Sequence, residues 1–182
     1  MLDDAILIWK LRSGSKEAFR LIYEQYARDL LTLSAGLLGC NAGAEDVVQD
    51  VFTQLVQAPG RFRRPGNLRA WLAMCVANRC RDLQRKEHSL RRTAAKNADQ
   101  TGNRQADSPV RMVIQDEAIQ RVSRALNTLP YEQRETLLLR VQGNMTFRQI
   151  ARLQQVSPKT SQSRYHYGID KLRSLLNEEV DS

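Results

Sequence analysis

The sequence is poor in aromatic and cysteine side chains. Aromatic residues make up 6% of its 182 residues, and its three cysteines, Cys40, Cys75 and Cys80, include no C-x-x-C pair. An odd number of cysteines argues against a disulfide framework, and the two histidines stand far apart along the chain, so we predict no metal site. We expect the cysteines to be small buried side chains instead.

The sequence also lacks a segment suited to membrane insertion. No apolar stretch approaches the roughly 20 residues that cross a bilayer. The first residues, "MLDDAILIWKLRSG", carry acids where a signal peptide carries its basic segment. We therefore predict a cytoplasmic protein without membrane insertion.

The patterns that carry catalysis are missing as well. The sequence shows no nucleophile–base pair, no cluster of metal ligands and no glycine-rich loop for a phosphate. We expect that the protein is not an enzyme and has no catalytic residues, no metal, no cofactor and no small-molecule substrate.

Positive charge is present in excess, and one stretch accounts for it. The net charge is +8; residues 1–50 hold five basic and eight acidic residues, whereas residues 61–92 hold ten basic and two acidic ones. This asymmetry predicts a polyanionic partner on one side and a basic protein partner on the other. A solvated basic helix is the alternative interpretation.

Apolar residues recur at helical spacing along most of the chain, and no segment reads convincingly as a strand. Residues 93–110, "TAAKNADQTGNRQADSPV", are the exception, because they have little apolar content to offset the entropy cost of ordering. We therefore predict an all-α protein, with one small helical domain at residues 1–92, a flexible linker at 93–114 and a second small helical domain at 115–182.

The segment "AEDVVQDVFTQLVQ", residues 44–57, has two contrasting faces. Its apolar stripe comprises Val47, Val48, Val51, Phe52, Leu55 and Val56. Its polar face comprises Glu45, Asp46, Gln49, Asp50 and Thr53. The polar face is either solvated surface or a docking ridge for a basic partner.

A basic loop, "GRFRRPGN", follows and precedes a long basic helix that Asn67 could cap. It contains Phe62 between arginines. An exposed ring beside cations suits single-stranded DNA, where bases stack on the ring and phosphates lie near the charges. An ordinary core ring is the alternative.

Near the C-terminus, "TFRQIARLQQVSPKTSQSRYHYGIDKLRSLL" predicts two helices joined by a tight turn. Thr146 and Gln149 fit a capping box, and Ser157 before Pro158 is a strong helix start. In a helix-turn-helix the second helix enters the major groove with its N-terminal residues at base edges. A packed helical hairpin without DNA is the alternative.

In this order, the segments resemble the extracytoplasmic-function (ECF) group of bacterial sigma factors. "AEDVVQDVFTQL" looks like region 2.2, which docks on the clamp helices of the RNA polymerase β′ subunit. "FRRPGNLRAWLAMCVANRCRDLQRK" is similar to regions 2.3 and 2.4, which melt and read the −10 element. "ALNTLPYEQRETLLLRVQGNMTFRQIARLQQVSPKTSQSRY" is similar to region 4, which binds the −35 element and touches the β-subunit flap.

The resemblance implies three sets of site residues. Those for core polymerase are Asp46, Gln49, Asp50 and the buried anchor Phe52. Those for −10 DNA are Phe62, Arg63, Arg64, Asn67, Arg69, Asn78, Arg79, Arg81 and Arg85. Those for −35 DNA are Thr146, Arg148, Lys159, Thr160, Gln162, Ser163, Arg164 and Tyr167. Three features depart from the family pattern. Ser161 replaces a usually apolar residue and Gln162 replaces a cation, and the loop "FRRPGN" has Arg-Pro where glycine and small polar residues are frequent.

We therefore predict a sigma factor that binds core polymerase and directs initiation at particular promoters. The resemblance also implies an anti-sigma factor as a partner, and sequestration at the inner membrane by such a factor is compatible with a cytoplasmic protein. A stand-alone helix-turn-helix regulator is the alternative, and a structural helical adaptor is a more distant one. The regulator would bind duplex DNA without polymerase at a palindromic site.

Overall fold

The computed structural model describes residues 4–59, 67–97 and 117–178, except for the side chains of His88, Glu178 and residues 91–97. These ranges contain eight helices and no strand, which confirms the all-α fold. The N-terminal helices are α1 (Asp4–Arg12), α2 (Lys16–Leu38), α3 (Ala44–Gln57) and α4 (Leu68–Asn97). The C-terminal helices are α5 (Glu117–Asn127), α6 (Tyr131–Val141), α7 (Phe147–Gln154) and α8 (Pro158–Glu178).

Local sequence signals account for most helix boundaries. The Ser15 hydroxyl accepts a hydrogen bond from the Ala18 amide at 3.2 Å and caps α2. Gly39 ends α2 with φ of +77°, a left-handed conformation that glycine adopts without a steric cost. The Asn67 side chain caps α4 by accepting from the Ala70 amide at 2.9 Å, as predicted.

The N-terminal helices enclose the larger part of the core. Helix α2 packs on α1, α3 and α4, and α3 packs on α4. The buried side chains of this core include Leu7, Ile22, Leu33, Leu37, Val47, Phe52, Leu55, Leu68, Leu72 and Val76. In the C-terminal helices, α6, α7 and α8 pack on one another, and α5 packs on α8.

The structure corrects several predicted burials. Val56 is 49% exposed, although it belongs to the apolar stripe of α3, because the neighbouring helices cover a narrower band than the stripe. Ile119 and Val122, two apolar residues of α5 at helical spacing, are exposed as well, since the contacts of α5 with α8 and α2 leave that face open. Among the cysteines, Cys80 is buried and Cys75 partly buried, but Cys40 is exposed.

Two predicted segments lie partly or wholly outside the described residues. Helix α4 continues to Asn97, past residue 93, where we predicted the linker to begin. Residues 98–116 lie outside the described residues. The same is true of residues 60–66, which include Phe62, Arg63 and Arg64. None of the described helices has the length and apolar content that a membrane span needs.

Candidate polymerase and nucleic-acid interfaces

Helix α3 exposes the polar face that the sequence predicted. Asp46 and Gln49 are exposed, and Asp50, one turn after Asp46, is partly exposed. The opposite face is buried against α2 and α4. The helix dipole favours acidic residues in the first turn, so Asp46 also suits its position. We call the surface of Asp46, Gln49 and Asp50 the acidic ridge.

Phe52 lies on the inner face of α3, as expected of a buried anchor. It is 3% exposed. Its ring contacts the rings of Phe19, at 6.0 Å between centroids in an edge-on arrangement, and Tyr23, at 4.8 Å. These ring contacts join the inner face of α3, opposite the acidic ridge, to α2.

The described arginines of α4 differ in how strongly protein groups engage them. Arg79 pairs with Asp50 of the acidic ridge at 2.7 Å, which joins a candidate DNA residue to a candidate polymerase residue. Arg69 pairs with Asp29 at 2.6 Å and stands 5.9 Å from the Tyr26 ring. By contrast, the Arg85 side chain is largely exposed, with Asp82 at 3.9 Å, and Asn78 is exposed.

Arg81 is bound in a polar network that the sequence did not predict. Its Nε and Nη2 donate to the two carboxylate oxygens of Glu135 on α6, at 2.8 and 2.5 Å, and its Nη1 donates to the Leu153 carbonyl at 2.7 Å. Glu135 is fully buried. Burial by itself lowers the pKa of Arg81, but the hydrogen bonds and the charge of Glu135 raise it above its ordinary value, so Arg81 stays charged.

Tyr131 and Gln154 complete this network. The Tyr131 hydroxyl donates to Glu135 Oε1 at 3.2 Å, and burial followed by the charge of Glu135 raises the pKa of Tyr131. Gln154 Nε2 donates to Glu135 Oε2 at 2.8 Å. One signal for this site was available in the sequence, since Glu135 stands three and four residues before Leu138 and Leu139 and therefore on the same side of a helix.

The helix-turn-helix forms as the sequence predicted. Thr146 and Gln149 make the capping box at the start of α7. Gln155 then takes the left-handed conformation, with φ of +56°, and turns the chain. Ser157 accepts from the Thr160 amide at 3.0 Å and caps α8, which begins at Pro158. Local capping therefore determines where both helices begin.

The first turns of α8 present a polar outer surface. Its exposed members are Lys159, Thr160, Gln162, Ser163, His166 and Tyr167. On α7, Arg148 and the cap residue Thr146 are exposed. His166, one helical turn after Gln162, is a further exposed polar residue of this surface. Arg164 is only partly exposed, because its Nη1 donates to Gln154 Oε1 at 2.8 Å.

Ser161 points into the hairpin, where the family pattern has an apolar residue. It is fully buried, and its hydroxyl has no hydrogen-bond partner. Leaving a buried hydroxyl unpaired costs about 1–3 kcal/mol. We therefore expect Ser161→Ala to stabilise the protein by about 1 kcal/mol, which thermal or urea unfolding would measure. Exposed Ser163→Ala is the control and should be neutral; a loss of stability in Ser161→Ala would show that the hydroxyl is paired.

Comparison with known proteins agrees with this architecture. Residues 22–90 match the Sigma-70 region 2 family, and residues 119–172 match the Sigma-70, region 4 family. The chain is 27% identical over 173 residues to RNA polymerase sigma factor CarQ of Myxococcus xanthus, which covers 93% of this chain and 95% of that protein. It is 23% identical over 171 residues to the ECF RNA polymerase sigma factor SigX of Bacillus subtilis, with 91% and 88% covered.

Solved structures show the same fold. The sigma factor RpoE in complex with the anti-sigma factor NepR from Bartonella quintana aligns with a TM-score of 0.68 at 22% identity, over 87% of this chain and 96% of that chain. The two family matches together span more than half of the sequence, in the order region 2 and then region 4. The chain belongs to the ECF family of RNA polymerase sigma factors, the proteins that direct transcription initiation by RNA polymerase.

Proposed function

We propose that this sigma factor uses three surfaces, one to bind core polymerase and two to bind promoter DNA. The acidic ridge on α3 docks on the β′ clamp helices of core polymerase. The loop before α4 and the basic face of α4 capture and melt −10 DNA, and the helix-turn-helix of α7 and α8 holds −35 DNA while the C-terminal helices touch the β flap. The corresponding domains are residues 1–92 and 115–182, joined by a linker at 93–114 whose first residues, 93–97, continue helix α4.

The exposure of the acidic ridge is the observation that carries this proposal. Asp46 and Gln49 face solvent on a helix whose other face is buried, so their side chains are free for a partner. Complementary charge steers association and suppresses wrong partners. A basic protein surface therefore fits the ridge, whereas DNA would be repelled by it.

The −10 assignment is supported by the charge of α4 and the preceding loop. Residues 61–92 carry ten basic residues. Arg85 and Asn78 are exposed on the described part of this segment, whereas Arg69, Arg79 and Arg81 are engaged with protein groups. We propose that Arg85 contacts phosphate first and that the engaged arginines follow when their present partners release them.

The −35 assignment is supported by the outer surface of α8. Gln162 can read adenine through a bidentate contact, and Lys159 suits phosphate. Loss of a base contact costs about 1–3 kcal/mol at one base position, whereas loss of a phosphate contact weakens all sequences alike.

Gln162→Ala and Lys159→Ala should therefore behave differently in DNA-binding titrations. We expect Gln162→Ala to reduce the preference for one base of the −35 element by roughly tenfold, with the salt dependence unchanged. Lys159→Ala should leave the preferences unchanged and reduce the slope of log affinity against log salt by about one. Equal effects of both variants on all sequences would contradict base reading by Gln162.

An anti-sigma factor is a proposed partner, and the cytoplasm is the proposed location. The complex of RpoE with NepR supports the first, since that sigma factor shares the fold of this chain. The predicted absence of membrane insertion supports the second, and sequestration at the inner membrane by an anti-sigma factor is compatible with it.

Promoter-specific transcription with purified components tests the proposed surfaces together. Core polymerase would be mixed with this protein and a library of genomic fragments, and RNA 5′ ends would be mapped. We expect start sites that share a two-part upstream motif and that require this protein. Tight duplex binding without core polymerase, at a palindromic site and with no new start sites, would instead support a stand-alone regulator and refute the three-surface proposal.

A further inference from the structure

Helix α1 has an outer face that carries large apolar side chains. Its inner face buries Leu7, Ile8 and Leu11 in the core of the N-terminal helices. On the outer face, Trp9 is 67% exposed, and Ile6, one turn earlier, is 45% exposed. An indole ring left in water is unusual, because tryptophan is highly buried on average. The packing of the core therefore does not account for Trp9.

The chain around Trp9 is basic. Residues 5–16 contain three basic residues and no acidic one. The three, all exposed, are Lys10, Arg12 and Lys16. The next acid along the chain, Glu17, is paired with Arg20 at 2.7 Å. The positive charge is thus not neutralised from that side. We call the surface of Trp9, Lys10 and Arg12 the α1 patch.

The end of α1 lies beside the residue that precedes the −10 loop. Arg12 Nε, in the last turn of α1, donates to the Pro59 carbonyl at 3.4 Å. Pro59 is followed by residues 60–66, the loop to which the proposed function assigns −10 DNA. Trp9 is three residues before Arg12, and residues at this spacing are neighbours on a helix surface. The α1 patch therefore lies close to the chain that enters the loop.

The start of α1 lies close to the helix that follows the loop. The Tyr26 hydroxyl donates to the Asp4 carboxylate at 2.8 Å. The Arg69 guanidinium stands 5.9 Å from the centroid of the Tyr26 ring, a cation–π distance. Arg69 belongs to the first turn of α4 and is a candidate −10 residue. Helix α1 is thus joined to the chain before the loop at one end and, through Tyr26, to the chain after it at the other.

Single-stranded DNA is the ligand that fits these features. The bases of a single strand stack on aromatic rings while its phosphates lie near cations, and this stacking needs no particular base. Bases within a duplex are stacked on one another and offer no face to an indole ring. The positive charge around Trp9 attracts a nucleic acid and repels the kind of basic protein surface that fits the acidic ridge.

We infer that the α1 patch binds single-stranded DNA next to the −10 bases. The Trp9 ring stacks on an unpaired base, and Lys10 and Arg12 lie at the neighbouring phosphates. This inference rests on the proposed function, which brings melted −10 DNA to the loop before α4. It extends the −10 surface to a helix to which that function assigns no DNA contact.

Two labelled single strands separate the α1 patch from the −10 surface. Both carry the −10 motif of a promoter that the transcription mapping identifies. The short strand ends at the motif, and the long strand continues for several nucleotides on each side. Fluorescence anisotropy measures the affinity of the holoenzyme, this sigma factor with core polymerase, for each strand. The ratio of the two affinities reports the contribution of the flanking nucleotides.

Trp9→Ala should weaken binding of the long strand by roughly tenfold and binding of the short strand by less than about twofold, because stacking on one ring is lost. Trp9→Phe keeps a ring and should bind both strands nearly like wild type. Ile6→Ala, the matched control, removes another exposed apolar side chain of α1 and should have no effect. Lys10→Ala should reduce the slope of log affinity against log salt by about 0.7 on the long strand.

Wild-type affinity of Trp9→Ala for the long strand would overturn the inference. Equal losses on both strands would also overturn it, since the ring would then act on the −10 bases themselves. A lower affinity of Trp9→Ala for core polymerase without DNA would assign the α1 patch to a protein partner instead. Failure of the proposed function has a different result: wild-type holoenzyme would bind the short strand no better than a strand of scrambled sequence.

Discussion

Asp46→Arg is expected to lower the affinity of this sigma factor for core RNA polymerase by about 100-fold. Like charges brought together at an interface cost several kcal/mol, and about 2.7 kcal/mol corresponds to two powers of ten in the dissociation constant. Asp46 is exposed and lies on the outer face of α3, so the substitution should leave the core intact. The loss should therefore appear in binding and not in stability.

The measurement is a titration of labelled protein with core polymerase, followed by promoter-specific transcription at saturating and limiting concentrations. Glu24→Arg makes the same change of charge at an exposed position on α2 and is the control. We expect Glu24→Arg to bind like wild type. Asp46→Arg should regain transcription only at high concentration, since its DNA surfaces are untouched. An unchanged affinity would remove the acidic ridge from the polymerase interface.

Phe52→Ala is expected to destabilise the N-terminal helices by about 3–5 kcal/mol. Truncation of a buried phenylalanine removes its transfer free energy and leaves a cavity. Here the cavity would open between α3 and the rings of Phe19 and Tyr23. Small domains have only about 5–15 kcal/mol of stability in total, so the variant should fall close to the limit of folding.

Val56→Ala is the matched control for Phe52→Ala. Both residues belong to the same apolar stripe of α3, but Val56 is 49% exposed. Surface substitutions of this kind usually change the free energy of unfolding by less than about 0.5 kcal/mol. Urea unfolding followed by circular dichroism compares the two. Similar losses for both variants would mean that Val56 is covered in solution.

The sequence by itself determined the helices and the identity of the family. The predicted helix at residues 44–57 has the same bounds as α3, because an apolar stripe at helical spacing stands between a glycine and a proline. The caps at Ser15, Asn67 and Thr146 were predictable for the same reason, since each depends on residues three positions apart. Interactions of this kind form between residues of one short segment, so the sequence of that segment is enough to predict them.

Only the tertiary structure decided which polar and apolar side chains are engaged. The pairs of Arg81 with Glu135 and Arg79 with Asp50 join residues on different helices, and no spacing rule relates their members. Val56 is exposed and Ser161 buried for a similar reason. A residue's own helix fixes the direction of its side chain, but the burial of that side chain depends on which other helix packs against the same side. The apolar pattern limits that outcome without specifying it.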